Sequence, residues 1–139
     1  MLAPKKVKYR KWHKGRRNPA KLVLPETRGI TVAFGSFGLK TMTQARITSN
    51  QIEAARKILS RAGGKTAKIW IRIFPDRPFT RKPAEVRMGS GKGDLAGYEA
   101  EVRPGRILFE IDGAPADVAR EALRKAGTKL PVTTRIVAR

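Results

Sequence analysis

The glycine-rich loop Met88–Gly93 is the part of the sequence whose residue types best suit phosphate binding. Glycine alternates with larger residues through this loop, which also contains Lys92, and glycines let backbone amides approach an anion closely. A Walker loop, however, has glycine where Val86 stands and Ser or Thr where Gly93 stands. The relaxed dinucleotide pattern fits residues 91–96, but a strand pattern follows where that motif needs a helix. The loop is therefore expected to present amides and Lys92 to a phosphate without catalysis.

Side chains that carry out catalysis or bind metals are scarce. The chain has no cysteine and one histidine, His13, which excludes thiolate nucleophiles, sulfur-ligated zinc and multi-histidine metal sites. His13 is expected to form a hydrogen bond or a stacking contact. Glu99 and Glu101 alternate on the outer face of a predicted strand, where a solvated surface is expected rather than a pair of catalytic carboxylates. We therefore expect no enzyme activity, no cofactor and no metal.

Residues 75–93, here called the arm, surround the glycine loop. Pro75, Pro78 and Pro83 restrict the backbone and remove hydrogen-bond donors, so the arm is predicted to be an extended loop or a hairpin. It contains only two acids but several bases, a composition that favours a polyanionic partner. The bases of the arm are Arg77, Arg81, Lys82, Arg87 and Lys92.

The N-terminal segment, residues 1–21, is a second basic region. It contains no acid, and Tyr9 and Trp12 are interleaved among its bases. Such a segment should order against phosphates, where bases release counterions and aromatic rings stack on unpaired nucleobases. The alternative is a solubilising or disordered tail, but two aromatic residues within the basic run favour binding. The bases are Lys5, Lys6, Lys8, Arg10, Lys11, Lys14, Arg16, Arg17 and Lys21.

The net charge of +20 is unevenly distributed. Residues 1–93 contain 23 Lys or Arg against 4 Asp or Glu, whereas residues 94–139 contain 8 against 7. A bound polyanion would offset the self-repulsion of the first region, with nucleic acid the first candidate and an anionic membrane surface the second. The basic region lacks the amphipathic helix that would seat it on a membrane. No apolar run approaches the roughly 18 residues of a membrane span, so we expect a soluble intracellular protein.

Two helices are predicted from capping signals and hydrophobic spacing. The first covers Thr48–Ala62, where Thr48 and Gln51 form a capping box and Gly63 ends the helix. The second begins at Pro115 and ends at Gly127. Its predicted inward face consists of Val118, Ala119, Ala122, Leu123 and Ala126.

Strands are predicted between these helices. Residues 30–34 and 37–42 should form two short strands, residues 97–111 a hairpin around a type II turn, and residues 132–137 a closing strand. The strand over residues 65–74 leads into the arm, and alternation gives it one apolar face and one cationic, aromatic face. The second face either meets RNA or covers a helix. Its members are Lys68, Trp70 and Arg72.

The order of elements predicts an α+β fold with a mainly antiparallel sheet and two helices. At 139 residues the chain is expected to contain one domain. Residues 1–29 would be a basic extension and connector, and residues 30–139 the domain that contains the arm.

Several sequence blocks in order along the chain resemble the L-sixteen family of bacterial large-subunit ribosomal proteins. The most specific is the arm pattern Lys-Pro-x-x-x-Arg-Met-Gly-x-Gly-Lys-Gly, and the resemblance covers nearly the whole chain. The other blocks are residues 1–11, Val32–Gly35 with Phe37–Leu39, Gln51–Arg56, Trp70–Asp76, Arg103–Arg106 and Lys129–Pro131.

The resemblance implies an α/β-hammerhead type of fold and a structural role in the ribosome. Expected partners are large-subunit ribosomal RNA, tRNA near the aminoacyl site and the peptidyl-transferase region, and neighbouring ribosomal proteins. It implies late entry in subunit assembly and a cytoplasmic, ribosome-bound location, with no membrane contact and no homo-oligomer. The residues expected to bind ribosomal RNA are Lys5, Lys6, Lys8, Tyr9, Arg10, Lys11, Trp12, Lys14, Arg16, Arg17, Lys68 and Arg72.

The same resemblance directs the arm toward tRNA and the peptidyl-transferase region. It also makes Arg87 a candidate for hydroxylation, because an oxygenase modifies the matching arginine in some members of the family. Reaction chemistry in that region belongs to RNA, so positioning and charge neutralisation are the implied roles of the arm. The arm residues that carry this expectation are Arg77, Arg81, Lys82, Arg87, Met88, Gly89, Gly91, Lys92 and Gly93.

Overall fold

The computed structural model describes residues 1–13 and 23–139. This part of the chain contains two helices and seven strands with antiparallel pairing, which confirms the predicted α+β class. Neither of these two helices is long and apolar enough to cross a membrane. In chain order, the elements are β1 (Phe37–Thr41), β2 (Ala45–Thr48), α1 (Ser49–Gly63), β3 (Lys68–Ile71), β4 (Arg77–Arg81), β5 (Asp94–Val102), β6 (Ile107–Asp112), α2 (Ala116–Gly127) and β7 (Thr134–Ala138).

The strands form two sheets where the sequence predicted one. A four-stranded sheet has the order β3-β6-β1-β7, and a three-stranded sheet has the order β2-β5-β4. The helices pack against each other, and α2 also contacts β1 and β7. The core between these layers includes Leu39, Leu59, Phe109 and Leu123, which are fully buried. Burial of each such side chain contributes roughly 1.5–3 kcal/mol to folding.

Both helices form close to their predicted positions. The capping box of α1 is present, because the Thr48 hydroxyl accepts from the Gln51 N–H and the Gln51 side chain accepts from the Thr48 N–H. In α2 the predicted inward alanines and Leu123 are buried. Val118 was predicted to face inward and is instead 40% exposed. It lies at the edge of the apolar stripe, about 100° around the helix from Ala119.

The predicted hairpin over residues 97–111 is wrong, although its turn exists. The Arg106 N–H donates to the Arg103 carbonyl at 3.3 Å, and Gly105 has a φ of 99°, as a type II turn requires. The strands on either side, however, belong to different sheets. The turn region is held by other segments, because the Gly105 N–H donates to the Thr41 carbonyl at 2.7 Å. The chain therefore crosses between the sheets at this turn.

The predicted strand over residues 30–34 is also wrong, because its last residues meet a carboxylate instead of a neighbouring strand. The Phe34 and Gly35 N–H groups donate to Oε2 of Glu110 at 2.6 and 2.8 Å, and the Ala33 N–H donates to Oε1 at 3.1 Å. Glu110 lies in β6, is completely buried and also pairs with the Arg72 guanidinium. The Glu110 carboxylate thus accepts the hydrogen bonds of three backbone N–H groups that a neighbouring strand would otherwise accept.

Glu110 remains charged despite its burial. Burial alone raises the pKa of a carboxyl group. Here that effect is outweighed by the hydrogen bonds from Gly35, Phe34 and Ala33 and by the Arg72 guanidinium, so the pKa of Glu110 lies below its ordinary value. The carboxylate form is therefore the one that the fold stabilises.

Glu110→Gln should lower the free energy of unfolding by about 3 to 5 kcal/mol at neutral pH, the usual effect of breaking a buried ion pair from one side. The new amide group would also bring N–H donors toward backbone groups that are themselves donors. Urea unfolding measures the loss. Glu121→Gln is the control, because Glu121 pairs with Arg124 on an exposed helix surface, where ion pairs contribute little. Equal losses in the two variants would contradict the role assigned to Glu110.

The same substitution should flatten the pH dependence of stability. Because the folded chain lowers the pKa of Glu110, its contribution is fully present above the ordinary carboxyl pKa and is lost as the pH falls through the lowered value. Unfolding measured from about pH 7 to about pH 3 should therefore show a steeper loss in the unsubstituted protein than in Glu110→Gln. Parallel curves would count against this assignment.

Candidate nucleic-acid interface

The described part of the N-terminal segment, residues 1–13, is attached to the domain at both ends. Leu2 packs against the hydrophobic core, and Trp12 lies beside the arm. Between them the side chains point largely into solvent, with Tyr9 62% exposed and Trp12 38% exposed. Of the predicted RNA-binding residues, Lys14, Arg16 and Arg17 lie outside the described residues. Within residues 1–13 the exposed ones are Lys5, Lys6, Lys8, Tyr9, Arg10 and Trp12, with Lys11 partly buried.

The described part of the N-terminal segment, residues 1–13, contacts the arm and the first residue of β5. The Lys92 ammonium donates to the Trp12 carbonyl, and the Lys11 ammonium lies 3.6 Å from the Asp94 carboxylate. The guanidinium of Arg77 lies 6.0 Å from the centre of the Trp12 ring, a cation–π contact. The arm and the described part of the N-terminal segment, which the sequence predicted as separate basic regions, are therefore in contact.

The arm is a hairpin, the second of its two predicted forms. Strand β4 pairs with β5, so that Arg77 stands opposite Glu99 and Arg81 opposite Asp94. Gly93 fits a close approach of the two strands, because a Cβ there would lie 2.8 Å from the Arg81 backbone. The residues between the strands, 82–93, form the tip of the arm.

The tip is exposed, and a hydrogen bond links its two sides. Gly89, Ser90 and Gly91 have φ values of 96°, 55° and 100°, a left-handed run that glycine tolerates best. The Lys82 ammonium donates to the Gly89 carbonyl across the tip. Met88 is 93% exposed. The predicted arm residues that the structure leaves exposed are Arg81, Arg87, Met88, Gly89, Gly91 and Lys92.

Arg77 differs from the other arm bases because it is buried at the root of the arm. It is 7% exposed, lies 3.2 Å from the Glu99 carboxylate and also pairs with Glu101. Arg46 approaches both acids from β2, at 3.5 and 3.3 Å. Arg77 therefore joins the arm to the three-stranded sheet. RNA contact by this residue stays a prediction.

The expected solvated face at Glu99 and Glu101 is wrong. Glu99 is 9% exposed, and both carboxylates lie between bases of the neighbouring strands. The reason is the register, which places Arg77 opposite Glu99 and Arg46 opposite Glu101. Cross-strand pairs of opposite charge stabilise a sheet. The two acids therefore pair with Arg77 and Arg46 within the three-stranded sheet.

The cationic face of β3 is covered partly by a loop, and neither predicted alternative describes it fully. Lys68 is exposed, whereas Arg72, just beyond the strand, pairs with Glu110. The Trp70 ring is stacked against Phe34, with ring centres 6.2 Å apart. The covering element is thus the loop around Phe34. Contact of Lys68 and Arg72 with RNA remains a prediction.

Sequence patterns missed Phe34 as part of this surface and Glu110 as the buried residue that holds its loop. Phe34 was assigned to a strand because β-branched residues precede it. Glu110 carried a usable signal, since it interrupts an apolar run between Phe109 and Ile111, and a charge in a buried strand needs a partner. That signal does not identify the partner, which is 38 residues away at Arg72.

Comparison with known proteins agrees with the family resemblance. The family model for "Ribosomal protein L16p/L10e" matches residues 4–137 of this chain. The chain belongs to this family. A protein of Rhodopseudomonas palustris named large ribosomal subunit protein uL16 is 55% identical over 139 residues, which cover 100% of this chain and 98% of the relative. Proteins of the same name from Afipia carboxidovorans and Xanthomonas campestris are 54% and 51% identical with the same coverage.

Arg77→Ala should weaken the attachment of β4 to β5 at the base of the arm. The change removes the ion pair with Glu99 and the ion-paired hydrogen bond to Glu101; a hydrogen bond to a charged group typically contributes about 1.5 to 3 kcal/mol. Amide hydrogen exchange of the free protein should become faster in β4 and β5 and stay unchanged in the four-stranded sheet. Arg81→Ala, at the exposed end of the same strand, is the matched control. Unchanged exchange in β4 and β5 of Arg77→Ala would contradict the structural role.

Proposed function

We propose that this chain is a structural component of the large ribosomal subunit. Its N-terminal segment and arm bind large-subunit ribosomal RNA, and the tip of the arm extends toward tRNA near the aminoacyl site and the peptidyl-transferase region. The observation that carries the proposal is the segregation of charge. Residues 1–93 contain 23 Lys or Arg against 4 Asp or Glu, and the exposed bases of residues 1–13 meet those of the tip where the Lys92 ammonium donates to the Trp12 carbonyl. Family membership gives independent support.

The excess of bases requires an external partner. The chain has 31 Lys or Arg and 11 Asp or Glu, so internal pairing leaves most of the positive charge unneutralised. Phosphates of RNA supply the opposite charge, and binding releases their condensed counterions. Backbone contacts of this kind fix position and orientation. A role in positioning RNA segments follows, with chemistry left to the RNA.

The same role has consequences for where the protein is found and when it joins the ribosome. It is a cytoplasmic, ribosome-bound protein without enzyme activity, it enters the subunit late in assembly, and it contacts neighbouring ribosomal proteins without forming a homo-oligomer. The exposure of Arg87 at the tip suits both a contact with tRNA and access for the hydroxylating enzyme of the family.

Binding to purified large-subunit ribosomal RNA should be tight and steeply salt-dependent. Removing one lysine that binds a phosphate should reduce the slope of log affinity against log salt by about 1. The double variant Lys5→Gln and Lys6→Gln should therefore lower the slope by about 2, whereas Arg124→Gln on α2, where Arg124 pairs with Glu121, should leave it unchanged. Filter binding over a salt series measures both. Absent or salt-insensitive binding by the unsubstituted chain would refute the proposal.

Arg87→Ala should impair tRNA binding or subunit maturation without destabilising the fold, because Arg87 is exposed at the tip and surface substitutions change stability by about 0.5 kcal/mol or less. Sucrose-gradient profiles and tRNA-binding assays on ribosomes from a strain carrying only the variant provide the readout. Arg124→Ala on α2, outside the basic surface, serves as the matched control. Normal maturation and tRNA binding in the Arg87→Ala strain would exclude the proposed role of the tip.

A further inference from the structure

Phe34 combines two properties that rarely occur together in one side chain. It is 55% exposed, as expected of a residue in a mobile loop, yet its backbone is tightly fixed. The Ala33, Phe34 and Gly35 N–H groups all donate to the Glu110 carboxylate, and the next N–H, of Ser36, donates to the Ile111 carbonyl at 3.1 Å. An exposed aromatic ring on such a support loses little conformational entropy when it binds a partner.

Gly35 shows how closely the loop is attached to the sheet. A Cβ at this position would lie 2.7 Å from the Ile111 carbonyl oxygen, so a larger residue would push the loop away from β6. The glycine is thus required by the close approach of two backbones. The position of the neighbouring Phe34 ring is set by the same approach.

Two side chains from the region of β3 pack against the ring of Phe34. Trp70 is stacked against it at an interplanar angle of 19°, and the guanidinium carbon of Arg72 lies 4.9 Å from the ring centre. Trp70 and Arg72 are two residues apart on an extended segment, so both side chains rise from the same face of the sheet. Both contacts come from side chains of this sheet, and Phe34 is still 55% exposed.

The charges around Phe34 favour an anionic partner. The hydrogen bond from the Ser36 hydroxyl lowers the pKa of Asp112 most, the Gly113 N–H lowers it further, and the charges of Lys68 and Arg139 add smaller effects in the same direction. The second acid, Glu110, is buried and paired with Arg72. Both acids are thus engaged within the protein, while Lys68 and Arg139 are exposed.

We propose that Phe34 is a stacking platform for one unpaired RNA base, with Lys68 and Arg139 available to the flanking phosphates. This site rests on the proposed function and specifies a contact that lies away from the arm. Unpaired bases stack on aromatic side chains in sequence-tolerant fashion, and the Trp70–Phe34 pair extends such a stack by two rings. A base is favoured over an apolar side chain of another protein because the Arg72 guanidinium lies 4.9 Å from the ring centre, and the exposed Lys68 and Arg139 act on Asp112, which accepts from the Ser36 hydroxyl two residues from Phe34.

The test compares variants that separate stacking from apolar contact, using purified large-subunit ribosomal RNA as the probe. Phe34→Leu keeps an apolar side chain and removes the ring, and Phe34→Tyr keeps the ring. Phe74→Leu is the matched control, since Phe74 is similarly exposed at 48% and lies outside the platform. Thermal unfolding of each variant verifies that the fold is intact.

Phe34→Leu should weaken RNA binding about fivefold to a hundredfold, the range found when one base-stacking aromatic is removed. The slope of log affinity against log salt should stay unchanged, because the substitution leaves every phosphate-binding base in place. Phe34→Tyr and Phe74→Leu should bind like the unsubstituted protein. Ultraviolet crosslinking of the complex should yield a peptide containing Phe34 joined to a nucleotide.

The outcomes separate this site from the general proposal. If the unsubstituted chain binds the RNA and Phe34→Leu binds equally well, the platform is refuted while RNA binding stands. If Phe34→Leu retains RNA affinity but fails to enter subunits, the ring contacts a neighbouring protein and the platform is again refuted. If the unsubstituted chain does not bind, the platform falls together with the proposed function.

Discussion

The buried carboxylate of Glu110 is the interaction on which the rest of the structure depends. It accepts hydrogen bonds from the loop at Ala33, Phe34 and Gly35, and it pairs with Arg72 at the end of β3. Arg72 is five residues from the first residue of the arm hairpin, Arg77. One side chain thus fixes both the loop that carries an exposed aromatic ring and the segment that leads into the arm. Three backbone donors and a guanidinium offset the desolvation of this charge, which otherwise would favour the neutral form.

A second set of ion pairs lies in the three-stranded sheet and engages two of the 11 acids of the chain. At the root of the arm, Glu99 and Glu101 lie between Arg46 and Arg77, so these acids are used inside the fold. The N-terminal segment and the tip of the arm contribute further exposed bases, and residues 1–13 meet the arm where Lys92 and Arg77 contact Trp12. The excess of bases over acids makes binding to a polyanion favourable and salt-dependent.

Local signals were sufficient for part of this structure and failed where distant segments meet. The Thr48 and Gln51 capping box and the Gly105 turn depend on residues within a few positions of each other, and sequence spacing predicted both correctly. The predicted hairpin over residues 97–111 was wrong because the turn is held by β1. The Gly105 N–H donates to the Thr41 carbonyl, and the next strand, β6, pairs with β1. Glu99 was expected to be solvated for a similar reason, since nothing near it in sequence identifies Arg77 as its partner across the sheet.

The central claim is that the N-terminal segment and the arm form a single RNA-binding surface. The most direct test of this claim is the rate at which each lysine is acetylated. Mass spectrometry measures these rates in the free protein and in its complex with large-subunit ribosomal RNA. Lys5, Lys6 and Lys92 should be protected together in the complex, whereas Lys125 and Lys129 at the end of α2 should react at the same rate in both states. Uniform protection of all lysines, or protection confined to Lys125 and Lys129, would contradict the account.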